Sequence, residues 1–170
     1  MSEKKKNQTP NITFRPKTEN DLEFLFQVYY STREDELAIT GWTQIEIEEF
    51  LRMQFRLQHT QYMENYKLNG SFDIILVDGI PAGRLYVNRG TQEIRIIDIA
   101  LLKEFRKKGI GGHIMTDLIQ EADHKNLSIS LHVEVNNPAL KLYERLGFEK
   151  KEIIGIYHYM VRPAKHQQET

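Results

Sequence analysis

The sequence predicts a single α/β (α+β) domain, and three observations support this. The chain has 170 residues, which is enough for one ordinary domain and too few for two. Predicted strands and helices follow one another in the order βααβββαβαββ, which is typical of helices packed on a sheet. The predicted strand at residues 93–102 is apolar on both alternating sets of positions, as expected for a central strand that is covered on both faces.

The chain begins with polar residues and a short strand. Residues 1–10 are predicted to form a flexible arm, and the domain is expected to span residues 11–163. Ile12 and Phe14 alternate with polar residues at the start of that span, which favours a strand. Thr18 and Asp21 have the spacing of a helix capping box. The first helix is expected to end where the charged residues 31–41 begin.

The second helix has a clearer start. Thr43 and Glu46 form a complete capping box, and Trp42 is placed to pack onto Ile47 as a hydrophobic staple. Leu, Asn and Gly at residues 68–70 are a stop signal. We therefore predict a helix that ends near residue 67.

The second half of the chain reads as strands and helices in alternation. Asp78 and Gly79 separate two β-rich segments, and this dipeptide is a strong signal for a hairpin. The strand at residues 93–102 follows. The later predicted elements are a helix at 111–124, a strand at 128–135, a helix at 138–146, two strands within 149–162 that divide near Gly155, and a flexible tail at 164–170.

Composition excludes several classes of protein. The net charge is −1, so no general positive field exists to hold nucleic acid. Cysteine is absent, which excludes disulfides, thiolate metal sites and a cysteine nucleophile. The apolar stretches are shorter than a membrane span, and no apolar stretch follows the charged start, so we expect no signal peptide. These features predict a cytoplasmic protein without metal, membrane or nucleic-acid partners.

A basic, glycine-rich loop lies between the strand at 93–102 and the following helix. Its glycines permit a tight turn with exposed N–H groups, and the helix start adds unpaired donors and a positive dipole end. Such a loop suits a diphosphate, although an exposed basic turn would look the same. The loop consists of Arg106, Lys107, Lys108, Gly109, Ile110, Gly111 and Gly112.

Two motifs resemble the GNAT acyltransferase superfamily. The loop matches that family's R-x-x-G-x-G pattern between a strand and a helix. Residues 136–148 match N-x-x-A-x-x-L-Y-x-x-x-G-F. The motifs stand in the family's order on the expected elements, and the resemblance covers residues 71–162. It implies a mixed, mostly antiparallel twisted sheet with two splayed parallel central strands and about four flanking helices.

The resemblance also implies that acetyl-CoA is the acyl donor. In GNAT enzymes this molecule lies between the two splayed strands, here 93–102 and 128–135. The backbone of Ile99 and Leu101 would pair with the pantetheine arm, and the Leu101 N–H could polarise the thioester carbonyl. The pyrophosphate would be held by the loop that runs from Arg106 to Gly112.

Two side chains of the second motif have implied roles. Asn136 corresponds to the asparagine that touches the cofactor arm, and Asn137 is the alternative, since an asparagine before Pro138 is also an ordinary helix cap. Tyr143 corresponds to the tyrosine beside the coenzyme A sulfur, which protonates the departing thiolate or donates a hydrogen bond to it. An aromatic core residue would fit the same position.

The general base is less sharply defined. Asp98 interrupts an apolar strand, where burial should raise its pKa and suit it to accept a proton or to bind a cationic substrate. The alternative is a buried carboxylate bonded to backbone or to Arg95. His132 and Glu134, on one face of the other splayed strand, are the second candidates.

The acceptor is expected to meet the segment at residues 31–41 and the second helix. Glu34, Asp35 and Glu36 would attract a cationic amine, although such a run is often only solvated. Trp42, Tyr62 and Tyr66 are interpreted as core or staple residues.

The predicted function is an acetyl-CoA-dependent N-acetyltransferase, an acyltransferase of the EC 2.3.1 class. A small-molecule or protein amine would attack the thioester directly in a ternary complex. The alternative is a non-catalytic domain that binds acyl-CoA. Strands near the C-terminus could pair in a homodimer.

Overall fold

A mixed seven-stranded sheet organises the computed structural model, which describes residues 9–168. The strands are β1 (Ile12–Pro16), β2 (Gly70–Val77), β3 (Ile80–Arg89), β4 (Glu93–Leu101), β5 (Ser128–Glu134), β6 (Glu149–Ile154) and β7 (Tyr157–Arg162). They lie in the order β1-β2-β3-β4-β5-β7-β6. The one parallel pair is β4–β5, and the other neighbours are antiparallel. This confirms the predicted mixed, mostly antiparallel sheet.

Helices cover both faces of the sheet. They are α1 (Leu22–Ala38), α2 (Gln44–Asn65), α3 (Ile110–Lys125), α4 (Leu140–Arg145) and α5 (Lys165–Gln168), with two short 3-10 helices at Glu19–Asp21 and Lys103–Phe105. The predicted order of elements is confirmed. The predicted tail from residue 164 contains α5, and most of the predicted N-terminal arm, residues 1–8, lies outside the described residues.

The predicted break at residues 31–41 is wrong, because α1 continues to Ala38. The hydroxyl groups of Ser31 and Thr32 donate to backbone carbonyls one turn earlier, at 2.8 Å and 2.7 Å. These residues therefore bond within the helix instead of ending it. The first glycine of the segment, Gly41, comes only after the helix has ended.

Helix α2 begins at the predicted capping box. The Glu46 N–H donates to the Thr43 hydroxyl at 3.2 Å, and the Thr43 N–H donates to the Glu46 carboxylate at 2.7 Å. The Trp42 ring packs on Phe50, with centroids 5.3 Å apart, one turn beyond the predicted contact with Ile47. The helix then runs to Asn65, close to its predicted end.

Two apolar clusters form the core, one on each face of the sheet. Helix α3 covers one face, where Ile94, Ile114 and Ile129 are fully or almost fully buried. Helices α1 and α2 cover the other face, with Leu25 and Leu51 at its centre. Strand β4 contributes to both clusters, which confirms that it is a central strand.

The two parallel strands separate soon after they meet. They pair through Arg95 and Ser130 and no further. At that point the register between β3 and β4 shifts, so that Ile97 is an extra residue in β4. A β-bulge bends the strand that contains it. The bulge therefore accounts for a wedge-shaped gap between the C-terminal halves of β4 and β5.

The inner edge of β4 leaves backbone groups facing this gap. The Leu102 N–H donates to the Ala82 carbonyl at 2.8 Å, and the register continues with Ala100 opposite Arg84. Alternate residues of an antiparallel pair point their backbone groups at the partner strand. The backbone groups of Ile99 and Leu101 consequently point away from β3 and into the gap.

The close approach of β3 to the opposite edge of β4 requires glycine at position 83. A Cβ atom there would lie 2.1 Å from the Ala100 carbonyl oxygen and 3.0 Å from the Leu101 Cα. We expect Gly83→Ala to push β4 out of place, to lower the thermal midpoint by several degrees and to weaken acetyl-CoA binding. Thermal scans with and without acetyl-CoA measure both effects, and an unchanged midpoint with normal ligand binding would contradict this account of the strand edge.

Candidate active site

A cavity of about 600 Å³ opens where β4 and β5 diverge. Helices α1 and α2 form one wall, the two strands form the floor, and the β6–β7 hairpin closes the far side. Its lining is rich in tyrosine and in charged or amide side chains. The lining side chains of these types are Tyr29, Arg33, Gln58, Gln61, Tyr62, Tyr66, Arg84, Arg95, Asp98, His132, Glu134, Asn137, Tyr143 and Tyr157.

The glycine-rich loop forms an open turn at the start of α3. Lys107 and Gly109 both adopt left-handed backbone conformations, with φ of 58° and 78°. The first backbone bond of the helix is from His113 to the Gly109 carbonyl, so the earlier N–H groups have no partner within the helix. A Cβ atom at Gly109, Gly111 or Gly112 would meet nothing within 4 Å. The turn therefore has free donors and open space, which fit a diphosphate.

The charged side chains of this loop divide into two kinds. Lys107 and Lys108 are exposed and add positive charge beside the turn. The Arg106 guanidinium instead donates to the Leu101 carbonyl at 2.8 Å and to the Ser31 hydroxyl at 3.1 Å. Arg106 thereby ties the loop to the end of β4 and to α1.

Asp98 is paired with a buried arginine. Its Oδ2 atom accepts a hydrogen bond from Arg84 of the neighbouring strand, so the predicted partners, backbone or Arg95, are wrong. Arg84 is only 3% exposed. Burial acts against its charge, but the Asp98 carboxylate, together with Tyr86 and Tyr62, raises the pKa of Arg84 above its ordinary value. Arg84 also donates to Gln58 at 3.0 Å. The Asp98 side chain remains 20% exposed, in the cavity.

Tyr143 lies on α4, at the end of the cavity. It is 8% exposed, and its ring centroid lies 5.8 Å from that of Phe148. Burial, with a smaller effect from the Asp98 charge, raises the pKa of Tyr143 to about 12. The phenol is therefore protonated at neutral pH and is available to donate a hydrogen bond.

The two asparagines before α4 differ in position. Asn137 lines the cavity, and its side-chain oxygen accepts from the Ala139 N–H at 2.9 Å. Asn136, the residue favoured from the motif, is exposed and lies outside the lining. Since Asn137 caps the turn that precedes Leu140, it combines the capping role with a place beside the cavity.

His132 and Glu134 of β5 both line the cavity, and each contacts an arginine. Glu134 forms an ion pair with Arg33 of α1. His132 contacts the Arg95 guanidinium through Nδ1. Burial and the Arg95 charge lower the pKa of His132, against a weaker opposite effect of Glu152.

The acidic residues of α1 lie outside the cavity lining, contrary to their predicted place at the substrate mouth. Glu34 and Asp35 both contact the Lys103 ammonium group, Asp35 at 3.3 Å. Glu36 lies 3.6 Å from Arg33. Since α1 is continuous here, these carboxylates project towards neighbouring cations and not into the gap.

Several residues of the site were not predicted from the sequence. Tyr62 packs against the core cluster as interpreted, but it also lines the cavity, as does Tyr66. Arg33 and Arg84 supply two of its three arginine charges but belong to no motif. Nothing in their sequence neighbourhood distinguishes them, because their roles depend on contacts between distant elements.

Residues 9–168 contain no group of three histidine, cysteine, aspartate or glutamate side chains placed to hold a metal ion. None of their helices combines the length and apolar character that crossing a membrane would require.

Comparisons with known proteins agree with this geometry. The sequence profile described as "Acetyltransferase (GNAT) family" matches residues 28–148. An N-alpha-acetyltransferase of Saccharolobus solfataricus is 35% identical over 66 residues. That match spans 37% of this chain and 40% of the relative.

Solved structures show the same fold at low sequence identity. The PaiA N-acetyltransferase of Thermoplasma acidophilum, solved in complex with coenzyme A, is 19% identical with a TM-score of 0.66. That likeness covers 90% of this chain and 99% of the other. A GNAT family acetyltransferase of Elizabethkingia anophelis with acetyl-CoA bound is 17% identical, with a TM-score of 0.56 over 90% of this chain and 98% of the other.

Proposed function

Because this chain belongs to the acetyltransferase (GNAT) family, we propose that it transfers an acetyl group from acetyl-CoA to a primary amine. The observation that carries this proposal is the free inner edge of β4, which leads from the cavity to the open glycine turn of α3. A long, thin ligand with a diphosphate would occupy both. The relative named an N-alpha-acetyltransferase supports a peptide amine among the acceptors to be tried.

The chain offers two sets of groups to hold acetyl-CoA, which supplies an activated acetyl thioester when bound. Backbone groups of Ile99 and Leu101 face the gap and would pair with its amide-containing arm. The N–H groups of Gly111 and Gly112 and the exposed charge of Lys107 would hold its diphosphate. Binding along one strand edge orients the thioester, and orientation supplies a large part of the rate in such transfers.

Tyr143 would stabilise the departing thiolate through a hydrogen bond. Its pKa of about 12 lies well above the value of about 8.5 that is usual for a thiol, so complete transfer of its proton would be uphill. Hydrogen bonding to a developing charge needs no such transfer and is favoured by a preorganised donor. The hydrogen-bond role of Tyr143 is therefore favoured over the role of general acid.

We expect Tyr143→Phe to lower turnover by about tenfold to a hundredfold, the usual worth of one hydrogen bond to a charged group. The acetyl-CoA dissociation constant should stay nearly unchanged, because the ring remains packed on Phe148. Steady-state kinetics and direct binding measurements on one preparation separate the two effects. Turnover equal to that of the wild type would remove Tyr143 from the mechanism.

Asp98 is the first candidate to accept the proton of the amine. Arg84 contacts its Oδ2 atom and, within the described part of the chain, is its one hydrogen-bond partner, which leaves Oδ1 for the substrate. The ion pair orients the carboxylate toward the cavity. Glu134 and His132 are engaged by Arg33 and Arg95 in the same way, and they stand as the second candidates.

Thermal unfolding with acetyl-CoA tests the proposal, with ATP as the control. Ligand at about 100 times its dissociation constant adds about 2.7 kcal/mol, and a domain of this size gains about 2–4 °C per kcal/mol. We expect a rise of about 5–10 °C with acetyl-CoA and little rise with ATP. The absence of a rise at high acetyl-CoA would contradict the proposed cofactor site.

A further inference from the structure

The cavity carries an unbalanced positive charge. Three arginines and two carboxylates line it. Arg84 is paired with Asp98, and Arg33 with Glu134. Arg95 forms no ion pair with any described residue.

The neighbours of Arg95 are polar but uncharged. Its guanidinium lies 3.4 Å from the Ser130 hydroxyl, contacts Nδ1 of His132 and lies 6.0 Å from the centre of the Tyr159 ring. A guanidinium can only donate hydrogen bonds, so Nδ1 of His132 must present its lone pair. The proton of the neutral imidazole then resides on Nε2. Among the described residues, Arg95 and His132 therefore form a group of donors without an ion pair, and Glu152 has only a weaker effect on His132.

Acetyl-CoA cannot supply the missing negative charge to Arg95. Its diphosphate would bind at the start of α3, beyond Leu101. Leu101 lies six residue steps beyond Arg95 along the extended strand, which corresponds to about 20 Å. Glu34 and Asp35 cannot supply it either, since they contact Lys103 outside the cavity.

We propose that the acceptor carries a carboxylate as well as its amine, and that Arg95 and the Nε2–H group of His132 bind that carboxylate. This inference rests on the proposed function and narrows its substrate class. It reverses the expectation of a cationic acceptor, which depended on Glu34, Asp35 and Glu36, and these residues lie outside the cavity lining. The carboxylate has two sources, the α-carboxylate of a free amino acid or the side chain of an acidic residue that begins a peptide.

Matched compounds with and without the carboxylate test the inference. The first measurement is the thermal shift caused by N-acetyl amino acids in the presence of coenzyme A. It is compared with the shift caused by the same compounds in which an amide replaces the α-carboxylate. A second pair, peptides that begin with acetyl-Asp or acetyl-Asn, distinguishes the two sources. Because these compounds are products, binding is read without turnover. We expect stabilisation by the carboxylate member of at least one pair, and equal shifts within both pairs would overturn the inference.

Variants of Arg95 test whether this residue causes the preference for a carboxylate. Arg95→Gln should weaken binding of the carboxylate compound by about tenfold to a hundredfold, and should leave the amide compound and coenzyme A unaffected. Arg95→Lys keeps the charge but not the planar fork, and should restore part of the loss. Arg56→Gln removes an exposed arginine of α2 and serves as the matched control. An Arg95→Gln protein that still prefers the carboxylate would contradict the proposal.

Transfer kinetics then separate this inference from the proposed function. With the corresponding free amines, Arg95→Gln should raise KM for the carboxylate acceptor far more than it lowers kcat. If no amine is acetylated but carboxylate binding still depends on Arg95, the proposed function fails and the inference about the ligand stands. If amines are acetylated without regard to a carboxylate, the inference fails and the function stands.

Discussion

Gly111→Trp is expected to abolish stabilisation by acetyl-CoA while the protein stays folded. A side chain at this position would fill the open turn at the start of α3, where a Cβ atom meets nothing within 4 Å. It would therefore block a diphosphate without disturbing the core. The expected rise of about 5–10 °C with acetyl-CoA should disappear, and the midpoint without ligand should change little.

A second tryptophan variant controls for the substitution itself. His124→Trp places the same side chain at the exposed, opposite end of α3 and should leave the acetyl-CoA shift intact. If Gly111→Trp still bound acetyl-CoA with wild-type affinity, the diphosphate would have to bind elsewhere. The assignment of the glycine turn would then be wrong.

Asp98→Ala is expected to have the largest effect on stability. It leaves the Arg84 guanidinium, which is 3% exposed, without its carboxylate. Removing one partner of a buried ion pair costs about 3–5 kcal/mol, equivalent to a fall of about 6–20 °C for a domain of this size. Asp98→Asn keeps an oxygen that can accept from Arg84 and should cost less. Thermal scans of the two variants measure the difference.

The double variant Asp98→Ala/Arg84→Met separates the structural role of Asp98 from its chemical role. It removes both charges, so most of the lost stability should return. Acetyl transfer should nevertheless stay about 10²–10⁴-fold below the wild type, the usual contribution of a general base. Recovery of transfer together with stability would show that Asp98 acts only as the partner of Arg84, and the base would then be sought at Glu134 or His132.

The order of elements was predictable because local signals determine it. The capping box at Thr43 and the turn at Asp78 and Gly79 each depend on residues close in sequence, and both are present in the structure. The extent of α1 was not predictable from its charged residues alone. Those residues pair with distant cations such as Lys103, and their charge therefore carried no information about where the helix ends.

The site was predictable where it depends on motifs or on polar residues within apolar strands, such as Asp98. The glycine turn and Tyr143 each belong to a short sequence motif, at residues 106–112 and 136–148, that can be recognised without the structure. The partner of Asp98 depends on the register shift at Ile97, and the sequence around that bulge looks like ordinary apolar strand. Arg84 and Arg95 become informative only once the sheet places them beside the gap.

Acetyl transfer itself is the most direct test of the central claim. The wild-type protein would be mixed with acetyl-CoA and a panel of amines, and acetylated amine and free coenzyme A would be measured together. We predict equal amounts of both products with at least one amine, and a rate that falls in Tyr143→Phe and vanishes in Gly111→Trp. Binding of acetyl-CoA without acetylation of any amine above the Gly111→Trp background would contradict the claim and favour a domain that only binds acyl-CoA.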